Sequence, residues 1–376
     1  MAIDVVKADG MYITDRTGKQ WLDLIGGISV CNTGHRHPKI VEAVKQQLDA
    51  YMHVLVYGEM IESPQVEYAN WLTNHLHSSL NSVYFTNSGT EATEGALKLA
   101  KRVTGRTQLA GFNLSYHGST QGSLSVMGDE YWRNAFRPLL PDVLHLEYNS
   151  FDSINAISTQ TACVIVETVQ AERGVYASTG EWLLALRRKC DSVGSLLIMD
   201  EIQTGFGRTG TLWNHTAMNV FPDILLLGKA LGGGMPLGAF IADRALMAAL
   251  TDRPVLGHIT TFGGHPVSCA AGLAAAKLLT ASNWISEVQD KAALFVTLLR
   301  NSGIKAVRSA GLLLSVEFAD ETIAKKIIDR CIEKGVLVDW FLFAPQCMRI
   351  APPLIISDNE IKKACDVIIQ ACDEIK

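Results

Sequence analysis

Short apolar runs rich in β-branched residues alternate, from about residue 82 to residue 227, with longer segments in which apolar positions recur at i, i+3 and i+4. That alternation is the pattern of an α/β unit built on a mainly parallel sheet, because parallel strands need a crossover helix to return the chain to the same edge. Residues 82–86, 107–112, 142–146, 162–167, 196–200 and 223–227 read as strands, and 91–103 and 181–193 as helices. Gly105 and Gly194 follow those helices as stop signals. After about residue 265 the pattern changes to an Ala/Leu-rich helix (267–279) and short strands near 312–318 and 348–350, which predicts a smaller α+β unit. The first residues, around 12–15 and 20–23, predict a strand hairpin. The expected division is therefore an N-terminal segment 1–45, a large unit 46–264 and a small unit 265–376.

Composition narrows the function classes. The chain has 376 residues, 48% hydrophobic, with a formal net charge of −5 and no long run of Lys or Arg. Such a surface offers no footprint for a phosphate backbone or anionic lipid, so no nucleic-acid or membrane partner is expected. The eight cysteines include no C-x-x-C pair, which argues against a zinc ribbon or a disulfide framework and for reduced thiols in a cytoplasm. Cys365 and Cys372, seven apart on the last helix, read as core. The start Met1-Ala2-Ile3-Asp4 lacks the features of a signal peptide, and no apolar run approaches the ~20 residues of a membrane span.

Three segments could carry chemistry. In 85–91, Phe-Thr-Asn-Ser-Gly-Thr-Glu, a strand runs through small residues into a helix start, where free N–H groups make either an anion site or an ordinary N-cap. In 196–203 an apolar strand ends in Asp200 and Glu201, at the strand edge where open α/β sheets bind ligands. A Walker-type acid is the competing reading, but no G-x-x-x-x-G-K-[ST] segment exists. In 223–234 Lys229 follows an apolar strand inside a Gly-rich loop, a place where desolvation favours the uncharged amine that Schiff-base chemistry uses; a plain buried ion pair is the alternative. Gly205, Gly207 and Gly210 formally spell G-x-G-x-x-G, yet Leu212-Trp213-Asn214-His215 beyond them is a poor helix opener, so the match reads as a turning loop. His35-Arg36-His37-Pro38 has the wrong spacing for paired metal ligands on a helix, and no metal is expected. An anion cradle, a strand-end acid and a reactive amine together form the set that pyridoxal phosphate would use.

These motifs resemble the class III (ω-amino) aminotransferases of PLP fold type I, acetylornithine/ornithine subgroup. The resemblance rests on segments in the right order: 21–38, TNSGTEATEGALKLAK (86–101), YHG (116–118), ETVQAERGV (167–175), MDEIQTGFGRTG (199–210), GKALGGGMPLGA (228–239), TTFGGHP (260–266) and MRIAPPL (348–354). It implies that Lys229 carries pyridoxal phosphate as a Schiff base and moves the proton, while Asp200 pairs with the ring nitrogen. It further implies that Gln203 contacts the ring hydroxyl, Tyr116 and Ile202 sandwich the ring, and Gly89 and Thr90 hold the phosphate. Thr261 would join from a neighbouring subunit of a homodimer with shared sites, and Thr260 would be a substrate-binding residue. Glu167 would support the acid network, Arg349 would bind the α-carboxylate of the oxo-acid acceptor, and Glu172 would cover Arg349 when an ω-amine is bound.

The implied activity is transfer of a terminal amino group, from a donor such as N-acetyl- or N-succinylornithine, to 2-oxoglutarate. The competing readings are a 4-aminobutyrate- or lysine-type ω-transaminase, a PLP aminomutase, and a non-catalytic PLP-binding protein. Two positions depart from the subgroup: Ser119 stands where Arg usually follows the aromatic-x-Gly motif, and His265 where Asn follows the paired glycines. With Ser119 unable to fork onto a remote carboxylate, Arg133 and Arg137 are the nearest candidate cations, the alternative being that both sit in surface pairs. If neither reaches the pocket, pyruvate is expected to serve better than glutamate's oxo acid.

Overall fold

The computed structural model describes residues 2–375. Its centre is a seven-stranded sheet in the order Ser82–Thr86, Gly238–Ala242, Ile224–Leu227, Leu196–Asp200, Thr161–Glu167, Gln108–Phe112, Val143–Leu146. Six strands run parallel, and Gly238–Ala242 lies antiparallel between two of them. The strands expected at 82–86 and 196–200 form with those bounds, and the other four shift by a residue at most.

Gly238–Ala242 escaped the sequence reading because Gly and Ala are poor strand formers. Burial of all five of its residues, and a ladder on each side, override that weak preference.

Helix Gly89–Thr104 shows why the chain turns where it does. Ser88 caps it by accepting from the Glu91 amide, Glu91 sits in the first turn, and Lys101 and Arg102 in the last, each matched to the helix dipole. Gly105 ends it at φ 68°, a left-handed conformation that glycine adopts without steric cost. Helix Gly180–Val193 ends the same way at Gly194.

A second, antiparallel sheet orders Ala306–Ser309, Leu314–Glu317, Ala344–Ile350 and Asp339–Phe341. Helices Glu321–Glu333 and Asp358–Glu374 belong to this C-terminal part, and Cys365 and Cys372 are buried in the core. The N-terminal strands Val5–Asp9, Tyr12–Asp15 and Gln20–Asp23 join it through parallel pairing of Gln20–Asp23 with Val336–Leu337. We propose a unit boundary near 264/265, just before helix Pro266–Ala281. Among the described residues no helix is long and apolar enough to cross a membrane.

Parallel strands share one C-terminal edge, so Thr86, Glu167, Asp200 and the turn after Leu227 come together there although they lie far apart in sequence.

Candidate active site

A cleft of about 300 Å³ opens at that edge, lined by Gly89, Tyr116, Glu172, Asp200, Gln203 and Lys229 among others. Lys229 enters from a short 3-10 turn and holds φ 47°, a left-handed value that a non-glycine residue keeps only where the surroundings impose it. Its ammonium donates to Gln203 Oε1 at 2.9 Å. Burial pulls its pKa below that of free lysine; nearby Arg349 pulls the same way, against the opposing carboxylates of Glu172, Asp200 and Glu167.

The two acids that end the Leu196–Asp200 strand part company. Asp200 faces the cleft, where Oδ2 meets His117 Nδ1 at 2.7 Å and Oδ1 accepts from the Ile202 amide at 3.0 Å. Each oxygen keeps a lone pair for one more donor. Glu201 turns away to the His215 ring and the Asn214 and His215 amides. Glu167 lies beside Asp200 in the ladder and accepts from the Tyr116 and Ala171 amides at 2.9 and 3.2 Å. Burial, with Asp200's charge next, pushes the Glu167 carboxyl well above the usual range.

Arg349 binds Glu172 through both nitrogens of its fork, Nη1 to Oε1 at 2.9 Å and Nη2 to Oε2 at 3.1 Å. It also donates to the Trp340 carbonyl and lies over the Phe341 ring. Asp339 approaches Nε at 3.2 Å, and burial raises its carboxyl to about 6 although Arg349 pulls it down. Glu172 further accepts from the Leu342 amide.

Several features leave room for a flat, phosphorylated ring. The Nε2 of Gln203 and the Nε2 of His117 are buried without a partner. A Cβ on Gly89 would strike Ile202 at 2.7 Å, and one on Gly118 would strike Thr90 Oγ1 at 2.3 Å, so only glycine keeps the cradle open. Gly89 and Thr90 are the first residues of their helix, where amides have no intrahelical acceptor.

The structure thus brings Gly89, Thr90, Tyr116, Glu167, Glu172, Asp200, Ile202, Gln203 and Lys229 into one cleft, with Arg349 against its Glu172 wall. Thr260 and Thr261 lie elsewhere in the chain's fold. Thr260 hydrogen-bonds Asn87 and lines a separate cavity near Tyr57, whose hydroxyl meets Thr261 at 3.4 Å. His265 opens helix Pro266–Ala281 and stacks on His53.

Arg133 and Arg137 do not supply the cation missing at Ser119. Arg133 is buried, pairs with Glu130 and donates to the Ser125 and Met127 carbonyls, while Arg137 pairs with the same Glu130. A guanidinium so close to an acid and two carbonyls satisfies itself locally. Sequence reasoning missed the roles of His117 and Asp339. His117 lies inside the YHG motif, but only the fold shows that the Asp200 strand runs beneath it.

An amine shed of part of its proton affinity, an acid braced by a histidine and a covered arginine define a lysine-dependent enzyme acting on amines and carbonyl acids. The chain belongs to the class III aminotransferase family, whose model matches residues 1–372. It is 38% identical to the acetylornithine aminotransferase of Methanopyrus kandleri over 96% of this chain and 92% of that one. The ornithine aminotransferase of Toxoplasma gondii superposes with a TM-score of 0.93 at 28% identity, covering 100% of this chain and 91% of the other. An amine transaminase from an uncultivated Pseudomonas species, in a PLP-bound form, gives 0.90 at 26%, covering 99% and 95%. The chain is an aminotransferase of fold type I.

Arg349→Ala is expected to slow the half-reaction with the oxo acid about 100-fold or more, since two charge-assisted hydrogen bonds are worth about 1.5–3 kcal/mol each. The amine half-reaction should change by only a few-fold. Single-turnover kinetics of each half read this directly, and equal losses in both would refute a gate at Glu172 and Arg349.

Proposed function

We propose that this aminotransferase uses pyridoxal phosphate to move the terminal amino group of an acetylornithine-type donor to a 2-oxo acid, working as a homodimer with shared sites. The observation that carries the reading is the Lys229 amine held 2.9 Å from Gln203 Oε1 in a cleft that Asp200 also lines, with Gln203 Nε2 buried and unpartnered. Bound there, pyridoxal phosphate supplies an electron sink for a carbanion next to nitrogen.

The chain's own residues supply the rest. Gly89 and Thr90 would offer amides to the phosphate, and Tyr116 and Ile202 would bracket the ring. Asp200 would pair with the ring nitrogen, and His117, 2.7 Å from Asp200 Oδ2, holds that carboxylate in place. Lys229 would anchor the cofactor and hold and return the substrate's proton. Glu172 neutralises Arg349 while a donor without an adjacent carboxylate is bound, which avoids a bare buried charge. It gives way when an α-carboxylate arrives.

A spectrophotometric titration tests the reading: the cofactor band should shift with N-acetylornithine and return with a 2-oxo acid. No shift with any primary amine would end it, and a shift that no oxo acid reverses would favour an aminomutase.

A further inference from the structure

Next to the cleft lies a second cavity of about 420 Å³ that the transfer chemistry does not use. Tyr116 and Ser119 line both spaces, and their hydroxyls meet at 3.1 Å to form the lip between them. Beyond that lip the walls are Leu124, Met127, Trp132, Phe136 and Leu342. The remaining polar lining residue, Gln121, spends its amide on the Pro138 carbonyl at 2.7 Å. Among the described residues no Arg or Lys lines this cavity. The two nearby arginines brace it from outside: Arg133 grips the carbonyl of Met127, and Arg137 shares Arg133's partner Glu130.

The cavity is also tied to the gate. Leu342 donates its amide to Glu172 Oε2 at 2.9 Å while Glu172 covers Arg349. Leu342 thus ties the cavity wall to the residue that covers Arg349.

We propose that this cavity is a subsite for the N-acyl group of the donor, and that the chain selects acylornithines whose acyl group is bulky and apolar over the acetyl compound. Resting on the transaminase reading, it narrows the donor: an acetyl group leaves most of the cavity to water, whereas an aryl or longer alkyl group removes apolar wall from solvent.

The test uses the holoenzyme and amine-free ligands, so that binding is read apart from turnover. Calorimetry should find N-benzoyl-norvaline bound at least tenfold more tightly than N-acetyl-norvaline. Trp132→Ala and Phe136→Ala, both exposed side chains outside the catalytic set, should each erase most of that difference and leave the acetyl compound unchanged, with Phe136→Leu restoring the difference. Single-turnover rates should follow the same order for N-benzoylornithine against N-acetylornithine. Equal affinities for the two norvalines would overturn the subsite even if transamination is intact. Failure of every amine to shift the cofactor band, with the affinity difference present, would overturn the transaminase reading and leave the acyl subsite standing. If light scattering shows that Trp132→Ala splits a dimer, the cavity is a contact between copies of the chain and the subsite is refuted.

Discussion

Lys229→Ala is expected to keep its fold and bind pyridoxal phosphate, yet lose at least about 10³-fold in turnover. Losing the amine removes both the covalent anchor and the group that carries the proton, and positioned acid–base catalysis alone contributes about 10²–10⁴-fold. The fold should survive because the strands on either side, Ile224–Leu227 and Gly238–Ala242, are laddered to each other and fully buried without help from the amine. Binding should survive because the helix start at Gly89 and the Asp200 carboxylate remain. Borohydride treatment followed by peptide mapping should fix the cofactor to Lys229 in the wild type and to nothing in the variant. A variant that still turns over would move the chemistry to another residue. The wild-type amine should also react with electrophiles at lower pH than a free lysine, since burial lowers its pKa and the neutral form dominates sooner as pH rises.

Asp200→Asn is expected to cost about 100-fold or more in both half-reactions alike. The amide preserves shape but not charge, and a preorganised charge aimed at a developing one is worth roughly 10²–10³-fold. Its effect should exceed that of Gln203→Ala, which removes a hydrogen bond and no charge. The change also exchanges the carboxylate that meets His117 Nδ1 for an amide, so His117→Ala with Asp200 intact separates the two causes. That variant should show a smaller loss, through Asp200's orientation alone. Single-turnover rates near wild type for Asp200→Asn would reduce this acid to a cap on the Ile202 amide.

How much of this was legible in the sequence depended on how local the signal was. Strands 82–86 and 196–200 and the glycine stops at 105 and 194 were readable because period, cap and breaker all lie within a few residues. Lys229 and Asp200 stood out because a charged residue at the end of a buried strand is costly unless used. Gly238–Ala242 was hidden because three of its five residues are Gly or Ala and the Phe240-Ile241 pair between them is too short a run to stand out. The fate of Arg133 and Arg137 was equally hidden: their partner Glu130 lies three and seven residues away, but the carbonyls of Ser125 and Met127 that complete Arg133's shell depend on how the intervening turn folds. The site residues contributed by resemblance divided the same way. Those on strand ends converge within one chain, whereas Thr260 and Thr261 do not reach the cleft from their own chain, and a shared site in a homodimer remains our proposal for them.

The antiparallel strand carries a consequence for how such a site diversifies. Since Ile224–Leu227 and Gly238–Ala242 are hydrogen-bonded neighbours, the loop bearing Lys229 begins and ends at the same place in the large sheet, and the position of the amine is set within that hairpin. Arg349 belongs to a different sheet, on Ala344–Ile350, beside Asp339 and the Leu342 turn. Reaction and recognition are thus inherited on separate pieces of scaffold. Mutations that retune which acid is accepted can accumulate in the C-terminal sheet while the amine stays where it is, so one lineage can explore new acceptors without rebuilding its chemistry.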